Sequence, residues 1–199
     1  MQDLPRCGWC QDGGLMQAYH DEEWGLPLDD DRMHFEYLMM EVMQCGLSWR
    51  LMLERREAFR RAFDGFDYER VADYGPGEEA RILQQPGMIR SPRKIRAVIH
   101  NAGVYKTILA EWGSFAAYLA SFAGNMPLIY PAHEHGGCAS NALSDRISAD
   151  LRRRGMKYLG SVTVYAHLQA SGVINDHEPG CWRGRQLRER YEYSICEGA

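Results

Sequence analysis

Two cysteines and two histidines stand at opposite ends of this 199-residue chain: Cys7 and His20 near its start, His177 and Cys181 near its end. Two thiolates and two imidazoles can make a tetrahedral Zn²⁺ site, and four protein ligands leave no position open for water. A metal held by this set would tie the first segment to the last, so the chemistry is that of a clasp. His177-x-x-x-Cys181 has the spacing of one half of a zinc finger, whereas Cys7 and His20 are too far apart for a compact knuckle. Spacing alone leaves open that the four are unrelated. Glu41 is the carboxylate that stands out. It flanks the apolar stripe of its segment, and a buried carboxylate without a partner is costly. It therefore either meets a structural arginine or works in a pocket. Trp49 follows closely in Gly46-Leu47-Ser48-Trp49 and can stack on a flat ligand, with core packing as the alternative. Trp9, Tyr19 and Trp24 cluster around the first two candidate ligands, again with packing as the alternative.

A second group of residues suits phosphate. Pro86-Gly87-Met88-Ile89-Arg90-Ser91-Pro92-Arg93-Lys94 reads as a glycine-containing turn between two helices, with basic residues entering the second. Such a helix-hairpin-helix presents backbone N–H groups and a helix N-terminus to a phosphate, and Pro92 fits the first helical position. The alternative is an ordinary surface turn. Net charge is −4, so there is no global basic field for nucleic acid, and any DNA binding must use a local patch such as Arg90, Arg93 and Lys94. Only three lysines exist, Lys94, Lys106 and Lys157, and only Lys94 lies near a motif. No lysine is placed as a Schiff-base nucleophile.

These groups must be positioned by helices. Asp29, Asp30 or Asp31 can cap a helix that runs to about Cys45, with Phe35, Leu38, Val42 and Cys45 as its core stripe. Met39, Met40 and Met43 make another face apolar, so it should be buried on most sides. Gly46 stops it. Ser48 caps the next helix, with Met52, Phe59, Ala62 and Phe63 inward. Further helices are expected over Glu78 to Gln84, Arg93 to Ala110, Phe115 to Ala123, Ser140 to Arg154 and Ser161 to Ser171. In the last, the β-branched Val162-Thr163-Val164 could be strand, but the Ser161 cap and Leu168 favour helix. Gly124 to Cys138 is the one long loop. The uncharged run Trp112 to Ala132 is broken by glycines and prolines, so it is not a membrane span. Met1 to Cys10 has no signal-peptide pattern, and six cysteines without one suggest a reducing, cytoplasmic setting.

Several blocks, in order, resemble the 3-methyladenine DNA glycosylase I family. They are Arg6-Cys7-Gly8-Trp9, Ala18-Tyr19-His20-Asp21-Glu22-Glu23-Trp24-Gly25, Gln44 to Trp49, Arg55-Arg56-Glu57, Ile89-Arg90 with Lys94-Ile95, Arg154-Gly155, and Gln169 to His177. The resemblance spans about residues 6 to 181 and implies an all-α helix-hairpin-helix glycosylase whose zinc site joins the N- and C-terminal segments. On that resemblance, Cys7, His20, His177 and Cys181 ligate one structural Zn²⁺ per chain. Trp9, Tyr19, Trp24, Glu41 and Trp49 form the base pocket, with Glu41, Tyr19 and Trp49 its catalytic members. Leu47 is the wedge that fills the gap left by a flipped nucleotide.

The implied reaction is hydrolytic excision of 3-methyladenine from alkylated double-stranded DNA, by a monomer without lyase activity and with free 3-methyladenine as product. A base alkylated at N3 is cationic, so the Trp49 face and the Glu41 charge would select it over adenine. Residues 1–184 form one glycosylase domain of two helical lobes. The chain departs from the family pattern at Cys45, Arg50 and Pro92, and in a tail over 185–199 of unknown role. Two other readings are a zinc-stabilised nucleic-acid-binding module without catalysis, and a metalloenzyme using His133, His135 and Cys138.

Overall fold

The computed structural model describes residues 4–11, 13–125, 127–130 and 138–196, so His133 and His135 lie outside the described residues. Ten α-helices and a two-stranded ribbon are found among them. The axis of the molecule is α2 (Asp31–Gln44), which packs against α3 (Trp49–Ala62), α6 (Pro92–Trp112), α7 (Phe115–Ala123) and α9 (Ser161–Ala170). The Asp30 carboxylate accepts from the Met33 amide at 2.8 Å and starts α2. Every residue from His34 to Met43 is buried, as the two apolar faces require. Cys45 is not part of that stripe. It is the residue that closes the helix, half-buried, before Gly46 turns the chain at φ +81°.

Ser48 caps α3 by accepting from the Leu51 amide at 3.3 Å. Met52, Phe59, Ala62 and Phe63 all point inward. The other face of α3 sends Arg56 and Arg60 to the buried Glu36 of α2, and Arg56 also reaches Glu23 at 2.7 Å. Glu36 is thus a buried carboxylate with cationic partners, the arrangement that makes such burial tolerable.

Helix α1 (Gly14–Glu22) has no sequence signal. It opens on glycine, a poor helix former, and no side chain caps it. Helix α4 (Tyr68–Ala72) packs on α6. Helix α5 (Pro76–Gln84) and α6 flank the expected turn, with Gly87 at φ +85° and Pro92 opening α6. Helices α8 (Ala142–Arg153) and α9 pair with each other, and Val162-Thr163-Val164 is helical. The residues after 184 are not without structure. Helix α10 (Trp182–Arg190) runs on into β2 (Ser194–Ile195), which pairs in parallel with β1 (Leu128–Ile129) inside the expected loop. No helix among the described residues is long and apolar enough to cross a membrane.

Candidate active site and metal centre

Cys7, His20, His177 and Cys181 come together. All four are buried, and their ligand atoms lie within 4.8 Å of one another. The Cys181 sulfur is 3.4 Å from His20 Nε2 and 3.4 Å from His177 Nδ1, and the Cys7 sulfur is 3.5 Å from His177 Nδ1. A tetrahedral metal with thiolate and imidazole ligands sets sulfur and nitrogen roughly 3.6 Å apart, so the cluster fits such an ion. The surroundings fit as well. Asp21 Oδ1 is 2.8 Å from His20 Nδ1, which turns His20 Nε2 towards the sulfurs, and Arg6 holds the same carboxylate at 2.8–3.0 Å. The Glu178 amide donates to the Cys7 sulfur at 3.3 Å. The two thiols are coupled: a hydrogen bond from Cys7 drives Cys181 far towards thiolate, and the same bond keeps the proton on Cys7.

Close packing makes room for His177. A Cβ on Gly184 would stand 2.5 Å from the His177 Cβ, and one on Gly25 would stand 2.9 Å from its Nε2. Glycine is needed at both places. The Trp182 amide donates to the Pro5 carbonyl at 2.9 Å, and the Gly8 amide donates to Glu178 at 2.9 Å, so the two chain ends are also sewn together beside the cluster.

His177 of this cluster also lines a cavity of about 750 Å³. Trp24 packs edge-on to His177 at 4.6 Å between ring centroids, and Trp9 packs on His20 at 5.4 Å and on Trp24 at 5.1 Å. Tyr19 follows at 5.5 Å from Trp49. All five expected pocket residues, Trp9, Tyr19, Trp24, Glu41 and Trp49, line this one cavity. The indole N–H of Trp49 is buried and has no acceptor in the protein. Such an orphan donor is uncommon and suits a ligand-facing position.

Glu41 resolves the choice set by its burial. No ion pair or hydrogen bond to its carboxyl is found among the described residues, in contrast to Glu36 on the same helix. Burial alone pushes its pKa up to about 8. Burial therefore favours the neutral carboxyl over the standing negative charge that its type suggests. An incoming cation would change that by favouring the ionised form.

Leu47 sits between α2 and α3 at 36% exposure, in a turn closed by Gln44 Nε2 donating to its carbonyl at 2.8 Å. Gln44 and Trp49, on either side of it, line the cavity. Arg90 and Arg93 are exposed at the start of α6. Lys94 differs from the expected phosphate contact. Its ammonium turns inward and donates to the carbonyls of Met43 and Cys45 at 2.7 Å each, closing the end of α2.

Other lining residues had no local signal. Thr163 comes from α9, Ile129 and Tyr130 from β1 and the residue after it, and Arg188 from α10. Asp176, within a block quoted for the resemblance, is held by the Tyr165 hydroxyl and by Gln169 Nε2 at 2.9 Å. Only the pairing of distant segments brings these groups to the pocket.

Comparisons with known proteins agree with this geometry. A family model described as methyladenine glycosylase matches residues 9–184. The DNA-3-methyladenine glycosylase 1 of Escherichia coli is 37% identical over 179 residues, 89% of this chain and 96% of that protein. A crystal structure of 3-methyladenine DNA glycosylase I superposes with a TM-score of 0.84 at 38% identity, covering 89% of this chain and 98% of the other. A Staphylococcus aureus 3-methyladenine DNA glycosylase I, solved to show the basis of 3-methyladenine recognition, superposes with a TM-score of 0.84 at 30% identity over 90% of this chain and 96% of its own.

Proposed function

The chain belongs to the methyladenine glycosylase family, and from that membership we propose how its pocket, its ligand cluster and its exposed cations divide the work. The activity is excision of 3-methyladenine from alkylated DNA by hydrolysis of the glycosidic bond. Family membership favours catalysis over the binding-module reading. The single observation that carries the mechanism is Glu41, a buried carboxyl with no partner among the described residues, facing an aromatic cavity.

The extruded nucleotide enters that cavity with its base cationic. Neutral adenine leaves the Glu41 carboxyl protonated and gains no charge attraction. The N3-alkylated base carries a positive charge, draws the Glu41 proton off into solvent and then faces a carboxylate in a dry site, where the attraction is strong. Trp49 offers its face to the ring, and Tyr19, Trp9 and Trp24 close the remaining walls. The C1′–N9 electron pair then leaves with the base, which departs neutral, while water adds at C1′ and loses a proton. No lysine lines the cavity among the described residues, and the Lys94 ammonium is engaged by α2, which supports hydrolysis without lyase chemistry.

Zn²⁺ suits the Cys7, His20, His177 and Cys181 set by donor type and spacing, and it would supply a structural cross-link with no open coordination position. Because Trp9 and Trp24 pack on the two histidines, this clasp also sets the pocket wall. The α5–α6 hairpin serves as the phosphate reader with Arg90 and Arg93, while Lys94 anchors α2 and Leu47 is the wedge. The pocket and the clasp are both complete within one chain, which supports action as a monomer. The described cysteines are unpaired, which supports a reducing, cytoplasmic setting.

The test is release of 3-methyladenine from methylated duplex DNA by the wild type and by Glu41→Gln. Gln keeps the shape but cannot ionise, so excision should fall by about 10-fold or more, the equivalent of roughly 1.4 kcal/mol of transition-state stabilisation. A folded Glu41→Gln protein with the wild-type rate would remove Glu41 from the mechanism.

A further inference from the structure

Among the cations of the α5–α6 turn, Lys94 is the one that leaves the surface. Arg90 and Arg93 are exposed, whereas Lys94 is half-buried and its ammonium donates to the carbonyls of Met43 and Cys45 at 2.7 Å each. An ammonium is strongly hydrated, so drawing it out of water has a cost, and burial lowers its pKa. It is not alone in joining these helices. Helices α2 and α6 pack against each other, and Asn101, about two turns further along α6, reaches the Met39 sulfur at 3.9 Å. The carbonyls that Lys94 meets belong to the end of α2, where helical partners run out.

What distinguishes these two carbonyls is their position. Met43 and Cys45 flank Gln44, the last residue of α2. Gln44 holds Leu47 twice: its carbonyl accepts from the Leu47 amide at 2.6 Å, and its Nε2 donates to the Leu47 carbonyl at 2.8 Å. Gln44 also lines the cavity, as do Glu41 and Trp49. After Gln44, Cys45 takes a non-helical conformation and Gly46 a φ of +81°, so the chain leaves α2 through a turn that the helix itself does not fix. Lys94 therefore ties the start of α6, next to Arg93, to the peptide groups on either side of the residue that holds Leu47.

We propose that Lys94 is a positioning residue that couples the phosphate grip of the hairpin to the Leu47 wedge. A strand held at Arg90 and Arg93 is thereby set at a fixed spacing from Leu47, so that the wedge enters the stack where the nucleotide leaves it. The inference rests on the glycosylase reading and on its wedge. It gives Lys94 a part in extrusion and none in phosphate binding.

The experiment uses the full chain as wild type, Lys94→Met, Leu47→Ala and the double variant. Single-turnover release of 3-methyladenine from methylated duplex is measured with saturating enzyme, alongside affinity for unmodified duplex over a salt series and affinity for free 3-methyladenine. Methionine keeps the length of the side chain and removes the donor. Lys94→Met should release the base about tenfold more slowly, with an unchanged salt slope and with free 3-methyladenine bound within about twofold of wild type. In the Leu47→Ala background the same change should slow release by less than about twofold, because the two residues act as one unit. Lys94→Arg, which can donate to the same carbonyls, should recover most of the rate. Melting curves report folding, and Lys94→Gln, too short to meet both carbonyls, carries the same comparison if Lys94→Met does not fold. The wild-type rate in folded Lys94→Met, or losses that simply multiply with those of Leu47→Ala, would overturn the proposal. A salt slope lowered by about one would overturn it in favour of a phosphate contact, and a matching loss of free-base affinity in favour of a general role in the fold. In each of these cases the wild type still excises the base. A wild type that released none would overturn the glycosylase reading itself.

Discussion

Glu36 and Glu41 are two buried carboxylates on one helix with opposite fates. Glu36 is met by Arg56 and Arg60 and serves the fold. Glu41 is met by a cavity, and burial pushes its pKa up to about 8. That shift has a consequence for stability. The folded-state pKa lies above the ordinary value of 4.5, so the neutral carboxyl is tolerated at low pH and the cost of ionising it in place grows as pH rises towards about 8. Over that window the wild type should lose roughly 1.4 kcal/mol of stability per pH unit relative to a non-titrating variant. Glu41→Gln should therefore melt progressively higher than the wild type as pH increases from about 5 to about 8. A melting-temperature difference that stays flat across those pH values would mean that Glu41 is solvated or paired in solution. The sequence marked this residue by its type among apolar neighbours, but the absence of an arginine partner could be seen only once α3 was docked.

At the scale of elements, the turn between α5 and α6 was legible because its chemistry is local. Gly87 takes the positive φ, Pro92 takes the first helical position, and the arginines flank them. Arg93→Ala should weaken binding to duplex DNA of any sequence and lower the salt slope by about one, measured by titration at several salt concentrations. A slope equal to that of the wild type would move the phosphate contact away from this hairpin. Lys94 shows why charge alone misleads. It shares the same turn, but helical geometry carries its ammonium to the end of α2, where two carbonyls lack helical partners. Helix α1 was not legible at all, since its glycine start argues against a helix and tertiary packing around Tyr19 and His20 overrides that preference.

At the scale of the whole molecule, the ligand cluster joins segments 170 residues apart, the separation of Cys7 and His177. Its loss should be felt both in stability and in the pocket, because Trp9 and Trp24 rest on its histidines. Removing the metal with a chelator should lower the melting temperature by about 10 °C, a few kcal/mol for a chain of this size, and Cys181→Ser should do the same while reducing bound zinc. Tryptophan fluorescence should shift in parallel. Metal-depleted protein that melts at the original temperature would exclude a clasp at this site.

The sequence by itself determined the helical class, the bounds of α2 and α7 and the start of α3, and its resemblance to a family pointed to the four residues of the Cys/His cluster and the five that line the cavity. Those follow from helical periodicity, capping side chains and motif blocks, which act over a few residues and survive without knowledge of the fold. Only the tertiary structure decided which buried carboxylate was left unpaired, where Lys94 pointed, and that the chain after residue 184 continues as helix and strand. Each of these depends on a partner distant in the chain. A pKa raised by burial, a lysine drawn to open carbonyls and a two-residue ribbon are products of packing, and no local pattern of residues encodes the neighbour that packing supplies.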